Sequence, residues 1–194
     1  MITHIQGVLE ERTPASAVLD CDGIGYQLQI SLTTYAQLPE KGVCRLFTHL
    51  AIREDAHVLY GFFQKDEREL FRHLISVSGV GPNTAISILS GLDPSGVKEV
   101  IISGNVSVLK SIKGVGPKTA ERIIIDLRDR LGKVQTGTLY LGLGANKVHE
   151  EALSALVTLG FAKSAAEKSI EKVVKKHGAD IGVSDIVKYA LSSF

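Results

Sequence analysis

The sequence predicts a multidomain β + α protein: an N-terminal barrel of five or six short strands, a central all-helical domain and a small C-terminal three-helix bundle. Three observations carry this prediction. Short alternating or β-branched runs fill residues 1–63. The apolar period becomes helical from residue 64. A glycine-bearing stretch without clear period, 132–147, separates the last helical segment from the rest.

In the first domain, 1–63, the expected strands are Ile2–Glu10, Ala17–Cys21, Gly25–Ile30, Cys44–Ile52 and His57–Phe63. Thr13-Pro14, Asp22-Gly23, Pro39-Glu40-Lys41-Gly42 and Arg53-Glu54-Asp55 separate them as turns. Strands this short and this evenly spaced suit a small barrel, an architecture that commonly binds oligonucleotides.

The second domain, 64–131, opens with Asp66 as the expected N-cap and Glu69 at the third helical position. Leu70, Phe71, Leu74 and Ile75 form the apolar stripe of that helix. Further helices are expected at Asn83–Ser90, Pro94–Ser103, Val106–Ile112 and Pro117–Leu131. The domain is internally repeated: residues Leu74 to Ala85 align with Leu109 to Ala120, and each copy carries Gly-Val-Gly-Pro, at 79–82 and 114–117. A repeated supersecondary unit implies a pseudo-symmetric pair on one core.

Residues 132–147, with Gly132, Gly137, Gly142 and Gly144, read as a flexible linker. The third domain, 148–194, has helical pattern at Ala152–Leu159, Ser164–Lys176 and Ser184–Ser193. Most of its apolar residues must form its own core. A bundle this small leaves apolar surface for a partner helix, and Leu156, Leu159, Ile186 and Tyr189 are the expected partner-facing positions.

Composition narrows the function. The 194 residues are 44% hydrophobic, enough for real cores, yet no apolar run reaches the roughly 18 residues of a membrane span. The N-terminus lacks the basic and apolar segments of a secretory signal, and Cys21 and Cys44 have no metal spacing, so a cytoplasmic protein with reduced thiols is expected. The net charge of +1 is unevenly spread. Residues 1–63 carry four Lys/Arg against seven Asp/Glu, residues 64–131 ten against eight, and residues 132–194 eight against six. A nucleic-acid ligand would therefore need its cations focused locally.

The two Gly-Val-Gly-Pro turns supply a means of focusing. A Gly-apolar-Gly turn between helices leaves backbone N–H groups aimed outward at the start of the next helix, where the dipole favours an anion. Proline at Pro82 and Pro117 fits the first helical position. Gly79, Val80, Gly81, Asn83 and Thr84 in the first turn, and Gly114, Val115, Gly116, Lys118 and Thr119 in the second, are the expected phosphate contacts. A single such turn would be read as a tight helix connection; its duplication with shared flanks favours phosphate binding. Contacts of this kind position a duplex without reading its sequence.

Glu54 and Asp55 read most simply as an ordinary charged turn. A second reading is repulsive: carboxylates beside phosphates disfavour continuous duplex and steer separated strands. No metal, cofactor or catalytic residue is expected. Gly114–Thr119 resembles a P-loop only superficially, because Pro117 separates Gly116 from Lys118. Lys118 as the Schiff-base lysine of a glycosylase or lyase lacks any segment suggesting a base pocket. A repair-nuclease subunit and a non-DNA scaffold remain as rival readings.

Taken in order, Gly7-Val8-Leu9, Gly23-Ile24-Gly25-Tyr26, Phe47-Thr48-His49, Arg53-Glu54-Asp55-Ala56, Leu59-Tyr60-Gly61-Phe62, the tandem turns, the linker and Glu151-Ala152-Leu153 through Leu159-Gly160-Phe161 resemble the RuvA family of Holliday-junction-binding subunits over essentially the whole chain. The resemblance implies an OB-fold barrel, a tandem helix-hairpin-helix domain and a UBA-like three-helix domain. It implies a homotetramer, able to pair into an octamer, that holds four-way junction DNA open with Glu54 and Asp55 as an acidic pin. It also implies the hexameric ATPase RuvB as the partner of the third domain, with the RuvC resolvase as a further partner. Nucleotide hydrolysis would then belong to RuvB. One position departs from the family pattern: Asn83 stands where lysine is common, so the first hairpin is expected to contribute less to salt-dependent binding.

Overall fold

The computed structural model describes residues 2–138, 145–178 and 181–192. It divides into two compact units, Met1–Gly137 and Thr138–Phe194.

Five strands open the first unit: β1 (His4–Thr13), β2 (Ser16–Cys21), β3 (Ile24–Ile30), β4 (Gly42–Ile52) and β5 (His57–Phe62). They close into a barrel in the order β1-β2-β3-β5-β4, antiparallel except for the β3–β5 pair. A register shift between Leu9 and Glu11 lets β1 bend to pair with β2 along its second half and with β4 along its first. Alternation sends Leu19, Leu28, Ile30 and Leu46 inward to full burial. A five-stranded closed barrel with a helix between its third and fourth strands is the OB fold.

That helix, α1 (Leu32–Gln37), is an element the sequence reading does not anticipate. It is short and starts at Ser31, whose hydroxyl accepts the Thr34 N–H at 2.9 Å. Ser31 and Thr34 are fully buried and both serve a carboxylate from the next domain. Ser31 Oγ donates to Glu67 Oε1, and Thr34 Oγ1 donates to Glu67 Oε2 at 2.7 Å while accepting the Phe63 N–H at 3.0 Å. Burial pushes the Glu67 carboxyl above the usual carboxylate range, opposed by those two hydroxyl donors.

The helical part follows as α2 (Lys65–Ile75), α3 (Pro82–Gly91), α4 (Pro94–Ser103), α5 (Val106–Lys110) and α6 (Pro117–Thr138). The first of these starts earlier than expected. Gln64 is the N-cap, without a side-chain capping bond, so Asp66 lies in the first turn with Glu67, where negative charge suits the helix dipole. Glu69 pairs instead with Arg68 and Arg72. Downstream, α6 continues past residue 131 to Thr138, and the next helix begins at Ala145. The stretch read as a linker, 132–147, is therefore helical at both ends, while 139–144 lie outside the described residues.

One apolar cluster joins barrel and helices. Tyr60 and Phe62 of β5 share it with Leu70, Phe71, Leu74, Ile88, Leu109, Ile123 and Leu127, and Ala51 and Val58 pack against its edge. Phe71 lies at the seam, with the rings of His49, Tyr60 and Phe62 at 5.3, 5.1 and 4.9 Å. Burying each large side chain contributes about 1.5–3 kcal/mol, and ring pairs at these distances add about 0.5–1.5 kcal/mol each.

The second unit holds α7 (Ala145–Thr158), α8 (Lys163–His177) and α9 (Val183–Leu191), packed around Ala152, Leu156, Ala166, Ile170, Val173, Ile186 and Ala190. It has its own core, as its apolar spacing predicts. Among the described residues no helix is long and apolar enough to cross a membrane.

His49 makes the fold sensitive to acid. Burial, then Arg72 and Arg68, hold its pKa below the ordinary 6.5, and its Nδ1 has no partner among the described residues. The unfolded chain therefore takes up a proton that the native state resists, so this contribution is full above about pH 6.5 and is lost as pH falls through the lower native pKa. His49→Gln is expected to flatten the fall in urea midpoint between about pH 7 and pH 5.5. An equally steep fall in the variant would place the acid sensitivity elsewhere.

Candidate nucleic-acid interface

The two Gly-Val-Gly-Pro turns adopt one geometry. Each preceding helix ends in an αR cap, Ser76 or Ser111. Gly79 and Gly114 then take φ of +87° and +90°, which a side chain would strain. The Val80 N–H donates to Val77 O at 3.0 Å, and the Val115 N–H donates to Ile112 O at 3.1 Å. Both valine side chains are buried in the shared core. Val80 and Val115, expected as phosphate contacts, are thus anchors: their amides are used within the turns and their side chains plug the core.

The outward donors come next in the chain. The first intrahelical bonds of α3 and α6 run from Ala85 N–H to Gly81 O at 3.0 Å and from Ala120 N–H to Gly116 O at 2.9 Å. The amides of Gly81, Asn83 and Thr84, and of Gly116, Lys118 and Thr119, precede those bonds and take no acceptor among the described residues. Gly81, an N-cap at φ −85°, has ordinary backbone, and Gly116 lies outside the positive-φ group too. A Cβ built at either position meets nothing within 4 Å. The fold therefore gives no reason for glycine here, whereas an anion approaching the amides closely does.

The turns are held in fixed relation. From α6, Arg122 donates to Ser78 O at 3.3 Å, and Arg130 reaches Ser76 Oγ at 3.4 Å. Sequence reasoning misses both arginines, because no local pattern marks a side chain that crosses between repeats. Charge around the turns is unequal: Lys110, Lys113 and Lys118 surround the second, all exposed, and the matching positions of the first are Ile75, Ser78 and Asn83.

Glu54 and Asp55 are exposed at the β4–β5 connection, which the Arg53 N–H closes onto Ala56 O at 2.9 Å. The strand ends beneath it, through Ala51 and Val58, lean on the helical cluster, so loop and hairpins belong to one packed unit. Among the described residues no three His, Cys, Asp or Glu gather as a metal site, and both cysteines are free thiols.

Comparison with known proteins agrees with this arrangement domain by domain. The family model "RuvA N terminal domain" matches residues 1–61, "SAM-like Helix-hairpin-helix tandem" matches 71–129, and "RuvA, C-terminal domain" matches 147–193. A Holliday junction branch migration complex subunit RuvA of Flavobacterium psychrophilum is 47% identical over 193 residues, 100% of both chains. Proteins of the same name from Bacteroides fragilis and Cytophaga hutchinsonii are 45% and 40% identical, each over 98% of both chains. The chain belongs to the RuvA family.

The RuvA C-terminal domain corrects part of the expected partner surface. Leu156 and Ile186 are core residues, 0% and 2% exposed, and cannot touch a partner without opening the bundle. Leu159 and Tyr189 are 58% and 40% exposed, accompanied by Val157 and Leu191. Helical period marks all of these as apolar but does not say which face the short bundle has room to bury. The Tyr189 ring stacks on His177 with centroids 4.3 Å apart, which fixes its orientation at the surface.

Leu156→Ala is expected to lower the bundle's stability by about 2–5 kcal/mol, and Leu159→Ala to change it by less than about 0.5 kcal/mol. Thermal melts followed by circular dichroism check this, and comparable losses from the two changes would contradict the assignment of core and surface.

Proposed function

We propose that this chain is the DNA-binding subunit of a branch-migration complex, gripping each arm of a four-way junction through paired hairpins. The observation that carries the proposal is the pair Gly81 and Gly116, glycines with ordinary backbone and open space where a Cβ would go. Free amides at two helix N-termini, one beside Lys118, supply donors in the geometry that a phosphate requires. Glu54 and Asp55 act as the acidic pin. In a homotetramer, which can pair into an octamer, four pins meet near the crossover and their repulsion of phosphates favours separated strands over continuous duplex.

The subunit itself is non-catalytic and cytoplasmic. Its exposed C-terminal residues, Leu159 and Tyr189 with Val157 and Leu191, are the docking surface for the RuvB ATPase, which supplies nucleotide hydrolysis; the RuvC resolvase is a further partner at the junction. The relatives' names as branch-migration subunits support this reading.

Gel-shift titration of a four-way junction against linear duplex tests the proposal. Gly116→Ala is expected to weaken junction binding about tenfold with an unchanged melting temperature, because the Cβ blocks phosphate approach without straining the turn. Retained affinity would leave the turn purely structural. Glu54→Gln combined with Asp55→Asn is expected to reduce the junction-over-duplex preference by about threefold or more, mostly by strengthening duplex binding. An unchanged ratio would remove the pin from the mechanism.

A further inference from the structure

The first hairpin keeps the cradle of the second but not its charge. The repeat sets Asn83 against Lys118 and Ser78 against Lys113, while the positive-φ glycines and the inward valine bonds of the two turns agree closely. A hydrogen bond from the barrel accompanies the uncharged residue: the Tyr60 hydroxyl donates to Asn83 Oδ1 at 3.3 Å.

We propose that Tyr60 is a positioning residue of the first phosphate site, holding Asn83 Oδ1 so that the carboxamide nitrogen is offered to the phosphate. The inference rests on the phosphate-binding reading of the hairpins.

A carboxamide has an accepting end and a donating end. Beside a phosphate only the nitrogen end is attractive, and an unrestrained asparagine on an exposed helix turn presents either. Tyr60 biases the choice, its hydroxyl donating to Asn83 Oδ1 at 3.3 Å. Tyr60 is 4% exposed and its ring packs 5.1 Å from that of Phe71, which restricts where the hydroxyl can go. A largely buried phenol needs an acceptor, and Asn83 Oδ1 supplies it. Asn83 then has two donors for one anion, its backbone N–H at the second helical position and its Nδ2. The Arg53 guanidinium, next to the acidic pair, acts on the same hydroxyl by opposing the upward push of burial on the phenol's pKa. Arg53 on the pin side therefore adds to the cationic charge that Arg122, on Ser78 O, brings to this turn from α6.

The same bond couples the two parts of the interface. Tyr60 lies on β5, which leaves the pin loop and pairs back with β4. The strand that follows the acidic residues also orients the first hairpin's side-chain donor.

The test is junction binding by fluorescence anisotropy across a salt series, with melting temperature recorded for each variant. Tyr60→Phe keeps the ring and is expected to weaken binding about fivefold for each first hairpin engaged, the scale of one neutral hydrogen bond, without changing the salt slope. Asn83→Ala is expected to weaken binding similarly and to make Tyr60→Phe silent. Asn83→Asp keeps the acceptor for Tyr60 but turns an oxygen toward the phosphate, so its loss should exceed that of Asn83→Ala. Asn83→Lys should steepen the salt slope by about 0.9 per subunit, about 3.6 for a tetramer on the junction, and no longer respond to Tyr60→Phe.

Three results would each overturn the inference: wild-type affinity in Tyr60→Phe, an equal loss from that change with or without Asn83, or losses of the same size from Asn83→Asp and Asn83→Ala. If Gly116→Ala weakens binding while Tyr60→Phe does not, the positioning role alone fails. If neither matters, the phosphate reading fails and takes this inference with it.

Discussion

Phe71 is the contact on which the first unit depends. Three rings from two strands of the barrel close on one side chain of α2, and the apolar cluster continues from there through every helix up to α6. The barrel and the hairpin domain are therefore not two beads on a string. The buried Glu67 carboxylate, gripped by hydroxyls of Ser31 and Thr34, adds a directional tie to the non-directional one. Apolar packing sets the distance between the two parts, and the hydrogen bonds set the angle.

That rigidity connects elements whose chemistry is opposite. On the proposed reading, the amides of the hairpins and Lys118 attract phosphate, and the carboxylates of Glu54 and Asp55 repel it. Their combined effect on a nucleic acid depends on their spacing, because unlike charges placed at random on a surface largely cancel within a Debye length of about 8 Å. The near-neutral total charge is thus compatible with a selective DNA surface, in which selectivity would come from arrangement, the acidic surplus of residues 1–63 being partly concentrated at one loop.

Much of this architecture is legible in the sequence. Alternation finds the five strands to within a few residues, because each has one face in the barrel core, and the glycine-proline repeats locate both hairpins. The sequence is silent where tertiary partners decide. α1 forms on six residues of weak preference because Ser31 caps it and Glu67 claims its hydroxyls. Glu67 itself reads as a surface charge in a first helical turn until its partners are seen. Val80 and Val115 look like ligand contacts by their place between glycines, yet their amides turn inward. Leu156 and Leu159 are indistinguishable by composition and separate only when three helices compete for one small core.

The inward amides of Val80 and Val115 have a mechanical consequence. Because each turn satisfies its own valine N–H and buries the side chain, the remaining donors point outward before any DNA arrives, and little ordering cost is incurred on contact. Donors of this type meet only phosphate oxygens, which recur along a duplex at a constant interval whatever the bases. A grip made this way has nearly the same energy after the duplex advances by one step as before. On the proposed function, such a grip would hold firmly across the helix axis and still offer little friction along it, which is what a bearing requires when another engine moves the shaft.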